Sequence, residues 1–162
     1  MDLKKIGYRR DVRASDRDAV RGIVQSTGFF TPEEVDIAVE LVDETLARGA
    51  RSGYHFLFAE QGGAILGYAC FGPIAGTAGS YDLYWIATHQ RYQRLGIGRL
   101  ILDRSEALMV KEGCRRIYID TSSRSLYAPT RSFYESCGYS KAAFLSDFYA
   151  PGDDKIIYCK AF

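Results

Sequence analysis

The chain has 162 residues and a formal net charge of +1 at neutral pH. This length suits one domain that buries a sizeable hydrophobic core without disulfides or metal ions. The near-zero charge gives no electrostatic reason to expect nucleic acid or an anionic membrane as a partner. We therefore predict a single domain over residues 1–162 that has neither of these partners.

The four cysteines lie far apart in the chain, and no pair has the spacing of a metal site. Only His55 and His89 could add imidazole ligands. The N-terminus has no apolar segment typical of a signal peptide, and no apolar run is long enough to span a bilayer. We expect a reduced cytoplasmic protein without metal. Its oligomeric state stays open, with a homodimer as one option.

The first half of the chain predicts a strand, two helices and two strands. Ser15 is the expected N-cap of the first helix. The second helix has a stronger start, because Thr31 is a cap, Pro32 suits the first position and Glu34 completes a capping box. Two glycines between the last two strands predict a hairpin. The predicted elements are, in order, 6–13, 15–26, 32–48, 55–60 and 65–71.

Aromatic and β-branched residues predict a central strand in the second half of the chain. A loop and an amphipathic helix follow this strand, and Gly113 ends the helix as its C-cap. A polar irregular segment over 122–129 precedes a short helix that stops at Gly138. A turn over 151–154 separates the last two strands. The predicted strands are 81–88, 115–121, 139–148 and 156–160, and the short helix is 130–137.

The loop after the central strand carries two glycines. Gln93, Gly96 and Gly98 fit the pattern Gln/Arg-x-x-Gly-x-Gly. Glycines let backbone amides approach a phosphate, and the following helix offers its positive dipole end. A P-loop is excluded because its Gly-Lys-Ser/Thr run is missing, and Ile101 stands where a dinucleotide fingerprint needs a third glycine. The loop indicates an anion site, the alternative being an ordinary surface loop.

This loop and the order of the elements resemble the GNAT acetyltransferase superfamily, whose members use acetyl-coenzyme A. Residues 133–139 also match the family's aromatic-Tyr-x-x-x-Gly-aromatic signature. The resemblance covers nearly the whole chain and implies the α/β (α+β) GNAT fold, β-α-α-β-β-β-α-β-α-β-β. Its mixed, mostly antiparallel sheet has about seven strands flanked by about four helices. Gln90 and Tyr127 depart from the family, where many members have Pro and a cofactor-contacting Asn.

The resemblance also assigns the contacts of the co-substrate, acetyl-coenzyme A, and implies no metal. The central strand would hold the pantetheine arm through backbone groups that become free where it splays from the next strand. The loop would hold the pyrophosphate, and the turn before the short helix would add one contact. The implied cofactor-binding residues are Ile86, Ala87, Thr88, Gln93, Arg94, Leu95, Gly96, Ile97, Gly98, Arg99 and Thr130.

Acetyl transfer to an amine needs a base for the amine and an acid for the departing sulfur. Tyr134 matches the family's thiolate-facing tyrosine, although in a chain with 12 tyrosines a packing role is the alternative. Asp82 lies where some members carry a glutamate base. Because Asp is one methylene shorter, it would act through a water; the alternative is a solvated carboxylate. His89, at the loop entrance, and Cys137, which has no activating neighbour in sequence, are weaker candidates.

The acceptor would be bound by the variable segments 27–31, 72–79 and 147–155. Phe29, Phe30, Phe148 and Tyr149 are candidates for an aromatic wall there. Asp147 is a candidate for attracting an ammonium group, whereas Asp153 and Asp154 are interpreted as part of a plain hairpin.

The resemblance thus implies an N-acetyltransferase that moves an acetyl group from acetyl-coenzyme A to a primary amine. We expect a small-molecule or amino-acid-like acceptor that attacks directly in a ternary complex. A protein N-terminus or lysine is the alternative acceptor. A non-catalytic acyl-coenzyme A-binding module and a nucleotide-binding enzyme are the alternative classes.

Overall fold

The computed structural model describes residues 1–162 and contains seven strands and four α-helices in the predicted order. No helix combines the length and apolar character that crossing a membrane requires. The elements are β1 (Gly7–Arg9), α1 (Asp16–Ser26), α2 (Pro32–Arg48), β2 (His55–Gln61), β3 (Ala64–Pro73), β4 (Ser80–Thr88), α3 (Ile97–Lys111), β5 (Arg116–Ser122), α4 (Ala128–Ser136), β6 (Ser140–Ala150) and β7 (Asp153–Ala161).

The strands form one sheet in the order β1-β2-β3-β4-β5-β7-β6. The pairs β1–β2, β2–β3, β5–β7 and β6–β7 are antiparallel, whereas β4 and β5 are parallel. This arrangement confirms the predicted mixed, mostly antiparallel sheet. The parallel ladder is short: it joins Ser80–Asp82 to Arg116–Tyr118, although both strands continue beyond it.

The chain divides into two compact units. The first comprises Met1–Gly72 and Trp85–Leu108, and the second comprises Pro73–Tyr84 and Met109–Phe162. The divisions fall inside β4 and α3, so both elements contribute residues to each unit. One domain over 1–162 therefore stays a prediction.

The core of the first unit joins the apolar faces of α1 and α2 to the aromatic side chains of β2 and β3. Val20, Val24 and Val42 of the helices and Phe58 and Tyr68 of the strands are completely buried. Their burial follows from the 3.6-residue spacing of apolar side chains on the helices, which aligns them on one face. Removal of this apolar surface from water is the main term stabilising the unit.

The predicted capping box of α2 is confirmed. The Glu34 amide donates to the Thr31 side chain (3.2 Å), and the Thr31 amide donates to the Glu34 carboxylate (2.8 Å). Each side chain thereby satisfies an amide that has no acceptor inside the helix. The local signal alone was sufficient to define this helix start.

The prediction that Ser15 caps α1 is wrong, because Ser15 makes no capping hydrogen bond. The carboxylate of Asp16 instead accepts the Arg13 amide (2.7 Å) and two bonds from the buried Arg9 guanidinium (2.8 and 3.0 Å). Since a buried charge needs a partner, this contact defines where α1 begins. It also ends β1 at Arg9, well before the predicted end at Arg13.

In the second unit, several boundaries differ from the prediction. Ser122 still belongs to β5, because it pairs with Lys155 of β7. β7 accordingly begins at Asp153, which leaves only Pro151 and Gly152 in the turn. α4 begins at Ala128, two residues early. The hairpin is longer than the sequence indicated because its register with β5 is set by distant residues.

β3 and β4 approach each other very closely at Gly67. A Cβ there would lie 2.6 Å from the Ala87 carbonyl oxygen and 3.1 Å from Thr88 Cα. We predict that Gly67→Ala lowers the free energy of unfolding by about 1–3 kcal/mol, because one backbone must move. Gly22→Ala in α1 is the control: its Cβ meets nothing within 4 Å, and it should be neutral or stabilising. Urea denaturation measures both, and equal stability of Gly67→Ala and wild type would contradict the close approach.

Candidate active site

The predicted anion loop lies in the first unit, between β4 and α3. Its start is fixed by the His89 amide, which donates to the Leu66 carbonyl of β3 (2.9 Å). The Gln93 side chain then donates back to the Thr88 carbonyl (3.3 Å). The Gln90 amide donates to the hydroxyl of Ser26 (3.0 Å), a contact that the sequence did not reveal. These bonds hold the loop entrance against β3 and α1.

Two residues of the loop have left-handed backbone conformations. Gly96 has a φ of 83°, and Arg94, which has a Cβ, has a φ of 62°. A positive φ in a non-glycine residue is uncommon and costs free energy, and such strain concentrates at ligand-binding segments. When neighbouring residues alternate between right-handed and left-handed backbone conformations, their N–H groups point toward a common centre. Such a group of amides forms a concave anion-binding site. Arg94, Leu95 and Gly96 are all exposed.

The loop leads directly into the N-terminus of α3. The Leu100 amide donates to the Gly96 carbonyl (3.1 Å), which is the first bond of the helix. The amides of Ile97, Gly98 and Arg99 therefore have no acceptor one turn earlier in the helix. Together with the positive end of the helix dipole, they are suited to a phosphate group. Arg99 adds a cation here, and it pairs with Asp103 (3.0 Å).

The strand residues that were predicted to bind the cofactor lie at the end of β4, in the same unit as the loop. Ala87 is buried, and Ile86 and Thr88 are half-buried. Earlier in the strand, the β4–β5 ladder ends at Asp82 and Tyr118. This early end is consistent with the separation of the two strands that the family resemblance implies.

Asp82 lies in the second unit and is half-buried on β4. Burial is the main cause that raises the pKa of its carboxyl above the ordinary value; the charge of Asp120 adds to the increase, and Lys155 opposes it. Lys155 is itself paired with Asp120 (2.6 Å between Nζ and Oδ2). A carboxylate with raised proton affinity is better suited to accept a proton than an ordinary surface aspartate.

Tyr134 lies on α4, also in the second unit, and only 6% of it is exposed. Its ring centroid is 6.0 Å from those of Tyr139 and Tyr158. Burial raises the pKa of its phenol, and Cys137 adds a smaller contribution. The Tyr158 hydroxyl donates to Glu135 (2.8 Å), whereas the Tyr134 hydroxyl forms no hydrogen bond in the protein. Tyr134 is therefore a protonated phenol with its proton available.

The segment before α4 is held by Arg131, which the sequence analysis did not single out. Its guanidinium donates to the carbonyls of Ser122 (2.7 Å) and Arg124 (2.9 Å). Thr130, the predicted cofactor contact, is half-buried one residue earlier on the same helix. Arg131 contacts the end of β5 and the segment that follows it. The local sequence pattern gives no signal for these contacts, because folding alone brings the residues together.

The aspartates of the last hairpin are engaged in the hairpin itself. Asp147 has a φ of 52°, and its carboxylate accepts the Gly152 amide (2.7 Å). Its own amide donates to the Asp154 carboxylate (2.8 Å). Asp153 accepts a hydrogen bond from Ser122. These contacts support the plain hairpin interpretation of Asp153 and Asp154, and they give Asp147 a role in shaping the turn.

Three of the residues predicted to form an aromatic wall make separate ring contacts. In the first unit, Phe30 lies 4.9 Å from Trp85 between ring centroids. In the second unit, the rings of Phe148 and Tyr149 meet edge to face at 5.0 Å, and both are exposed.

The weaker catalytic candidates have structural contacts. His89 Nδ1 accepts the Arg91 amide (3.2 Å), which orders the start of the loop. Cys137 is buried at the end of α4. No group of three or more His, Cys, Asp or Glu side chains is arranged to hold a metal ion.

Comparison with known proteins agrees with this architecture. Residues 23–139 match the model of the acetyltransferase (GNAT) family. A GNAT-family protein from Desulfovibrio desulfuricans is 49% identical, with 96% of this chain and 98% of that chain covered and a TM-score of 0.94.

Two more distant structures share the fold. An aminoglycoside 6'-N-acetyltransferase complexed with coenzyme A has 18% identity, 96% coverage of both chains and a TM-score of 0.77. The ribosomal-protein-S18-alanine N-acetyltransferase from Escherichia coli has 21% identity, covers 96% of this chain and 93% of its own, and has a TM-score of 0.75. The family match spans most of the sequence, and the chain therefore belongs to the GNAT acetyltransferase family.

Proposed function

We propose that this protein transfers an acetyl group from acetyl-coenzyme A to the primary amine of a small-molecule or amino-acid-like acceptor. The reaction is a direct attack in a ternary complex. The observation that carries the proposal is the left-handed turn at Arg94 and Gly96, which leads into three amides without helical acceptors. The coenzyme A bound to the aminoglycoside enzyme of the same fold supports the choice of co-substrate. The four free cysteines favour the reducing cytoplasm as its location.

The co-substrate is proposed to contact both β4 and the loop. Backbone groups of β4 hold the pantetheine arm, loop amides and two arginines bind the diphosphate, and the start of α4 contributes one side chain. The loop is better suited than the strand to the diphosphate, because a diphosphate needs several hydrogen-bond donors and positive charge. The proposed contacts are Ile86, Ala87, Thr88, Gln93, Arg94, Leu95, Gly96, Ile97, Gly98, Arg99 and Thr130.

The chemistry is assigned to two side chains of the second unit. Acetyl-coenzyme A supplies the activated acetyl group. Asp82 accepts a proton from the acceptor ammonium through a water, because only the neutral amine attacks. As the C–N bond forms and the C–S bond breaks, Tyr134 gives its phenol proton to the sulfur, so that coenzyme A leaves as a neutral thiol. The nitrogen, which still carries one extra proton after the attack, releases it as the amide forms; this proton restores the Tyr134 phenol through solvent, and Asp82 gives its own proton to solvent.

The identity of the acceptor is tested by thiol release with a panel of amines. Two enzymes of the same fold are named for an aminoglycoside and for an alanine of ribosomal protein S18 as acceptors. The panel should therefore include aminoglycosides, amino acids, and peptides with a free N-terminal alanine or lysine. Turnover with small amines supports the proposal, and turnover confined to peptides contradicts the acceptor class. Tight coenzyme A binding without any turnover would favour the binding-module alternative.

The loop assignment predicts a specific loss of coenzyme A affinity in Gly96→Val. A β-branched residue at a φ of 83° is strained by about 1–3 kcal/mol, so the turn should open and affinity should fall about tenfold or more. Pantetheine, which lacks the diphosphate, should bind both proteins equally. Calorimetry measures both ligands.

The matched control is Gly76→Val, because Gly76 has a φ of 74° and, like Gly96, no atom within 4 Å of an added Cβ. It should bear similar strain and keep its coenzyme A affinity. An unchanged affinity in Gly96→Val would rule out this loop as the diphosphate site.

The acid role predicts that Tyr134→Phe lowers kcat about 100-fold or more while coenzyme A affinity is kept. Tyr158→Phe is the control, since it removes a neighbouring buried hydroxyl that is already bonded to Glu135. It should cost about 1 kcal/mol of stability and leave kcat near wild type. Steady-state kinetics and thermal unfolding distinguish the variants. Equal kcat in Tyr134→Phe and wild type would assign Tyr134 to packing.

The base role predicts opposite shifts of the pH profile when the neighbours of Asp82 are changed. A base works deprotonated, so kcat/KM falls as the pH drops through its pKa. Lys155→Met removes the charge that lowers the pKa of Asp82, and the acidic limb should move to higher pH. Asp120→Asn removes a charge that raises this pKa, and the limb should move to lower pH. Two shifts in the same direction, or none, would exclude Asp82 as the base.

A further inference from the structure

Within the second unit, the two faces of the sheet differ in burial. Residues that stand opposite each other in the ladders point to the same face. One face is buried at Tyr81, Ile117 and Tyr158, and the ring of Tyr134 on α4 lies 6.0 Å from the Tyr158 ring. The residues of the other face are half-buried or exposed, and we call this the Asp82 face. It comprises Ser80 and Asp82 of β4, Arg116, Tyr118 and Asp120 of β5, and Lys155, Ile157 and Cys159 of β7.

The charged side chains of the Asp82 face have ionic partners, with two exceptions. Lys155 pairs with Asp120 (2.6 Å), and beyond them Asp153 pairs with Arg124 (3.2 Å). The two exceptions are Asp82 and Arg116, whose side chains form no ion pair and no hydrogen bond. Asp82 is half-buried and Arg116 is exposed. The face therefore presents one unpaired carboxylate and one unpaired guanidinium to a ligand.

The two unpaired groups lie on neighbouring strands. Asp82 is opposite Tyr118 in the parallel ladder, and Arg116 is opposite Ser80. One strand and two residues thus separate them, which corresponds to about 8 Å between their Cα atoms in a regular sheet. Both side chains belong to the same face, yet they form no ion pair with each other. A ligand that bridges them needs a cation at one end and an anion at the other.

We propose that Asp82 and Arg116 together bind the amino and carboxylate groups of an α-amino acid, and that this amino acid is the acceptor. The inference rests on the proposed acetyl transfer and narrows its acceptor to a zwitterion. A guanidinium binds a carboxylate through two parallel hydrogen bonds, which gives Arg116 the stricter recognition of the two. In an α-amino acid one carbon separates the two charged groups, so a molecule of this size fits between Asp82 and Arg116.

The charges of the face disfavour the other acceptors. Polyamines and aminoglycosides carry several ammonium groups, and the cations Arg116 and Lys155 repel the second of these groups. A protein N-terminus has a peptide bond where the amino acid has its carboxylate, and it leaves Arg116 without an anion. Lys155 does not replace Arg116, because its ammonium is bound to Asp120 and lies 4.4 Å from the centroid of the Phe148 ring.

Thiol release with matched acceptors tests the role of the carboxylate. Each L-amino acid is compared with its amide, which keeps the amine and the side chain but has no negative charge. At least one amino acid should exceed its amide in kcat/KM by about tenfold or more, the contribution expected of a hydrogen-bonded charge pair. A preference for amides, polyamines or aminoglycosides over every amino acid would overturn the proposal.

Arg116→Gln tests the arginine itself. It should raise KM for the preferred amino acid about tenfold or more, while kcat/KM for the amide stays near the wild-type value. Arg116→Lys should restore part of the difference, because lysine keeps the charge but not the two parallel donors.

The matched control is Arg115→Gln, which removes the same charge one residue earlier. Arg115 is exposed, precedes β5 and is not part of the Asp82 face. Its variant should keep the wild-type ratio of kcat/KM between amino acid and amide. The same ratio in Arg116→Gln as in wild type would refute the role of Arg116.

Calorimetry separates failure of this inference from failure of the proposed function, since binding needs no turnover. Amino acids are titrated into the wild type and into Arg116→Gln, each saturated with coenzyme A. Binding that weakens in Arg116→Gln, without turnover of any amine, would support the amino acid site and refute acetyl transfer. Turnover of amines without a preference that depends on Arg116 would refute the amino acid site and leave the proposed function intact.

Discussion

The backbone of β4 lies so close to β3 at Gly67 that a single methyl group would not fit between them. This close approach fixes the positions of Ala87 and Thr88, the last residues of β4. The amide of His89 then continues the contact with β3, and Gln93 closes the loop back onto Thr88. The strained turn and the start of α3 follow within a few residues. The geometry of the anion loop therefore depends on a contact between two strands that is made before the loop begins.

Burial acts on two side chains of the second unit with different chemical consequences. Partial burial raises the pKa of Asp82, and the resulting carboxylate holds a proton more readily than an exposed one. Deeper burial raises the pKa of Tyr134 and keeps its phenol protonated. The same physical cause thus raises the proton affinity of both groups. The Asp120–Lys155 ion pair also acts on the pKa of Asp82, because the charge of Asp120 raises this pKa and the charge of Lys155 lowers it.

The two edge strands of the sheet, β1 and β6, differ in length and in exposure to solvent. β1 is short, and its buried arginine is neutralised by two carboxylates. β6 is long and exposes apolar side chains on both faces, and its pairing with β7 is interrupted between Leu145 and Ala150. The hairpin contacts of Asp147 and Asp154 hold this edge in a defined shape without covering it.

Local sequence signals determined much of the fold. The capping box at Thr31 and Glu34, the C-cap at Gly113 and the order of all 11 elements are correct, because each depends on residues within a few positions of one another. The glycine pattern placed the loop at the N-terminus of α3 for the same reason. The roles assigned to Tyr134, Asp82 and the loop residues remain predictions.

Tertiary structure decided what depends on distant residues. Ser15 does not cap α1 because its own backbone is already helical and the Arg17 amide donates to the Ala14 carbonyl. The need for glycine at position 67 arises only when β4 lies against it. The sequence predicted β6 as a strand, but it did not predict that every residue of this strand is exposed or that the strand lies at the end of the sheet. Periodicity reports which conformation a segment adopts, whereas burial and pairing depend on neighbours that folding alone brings together.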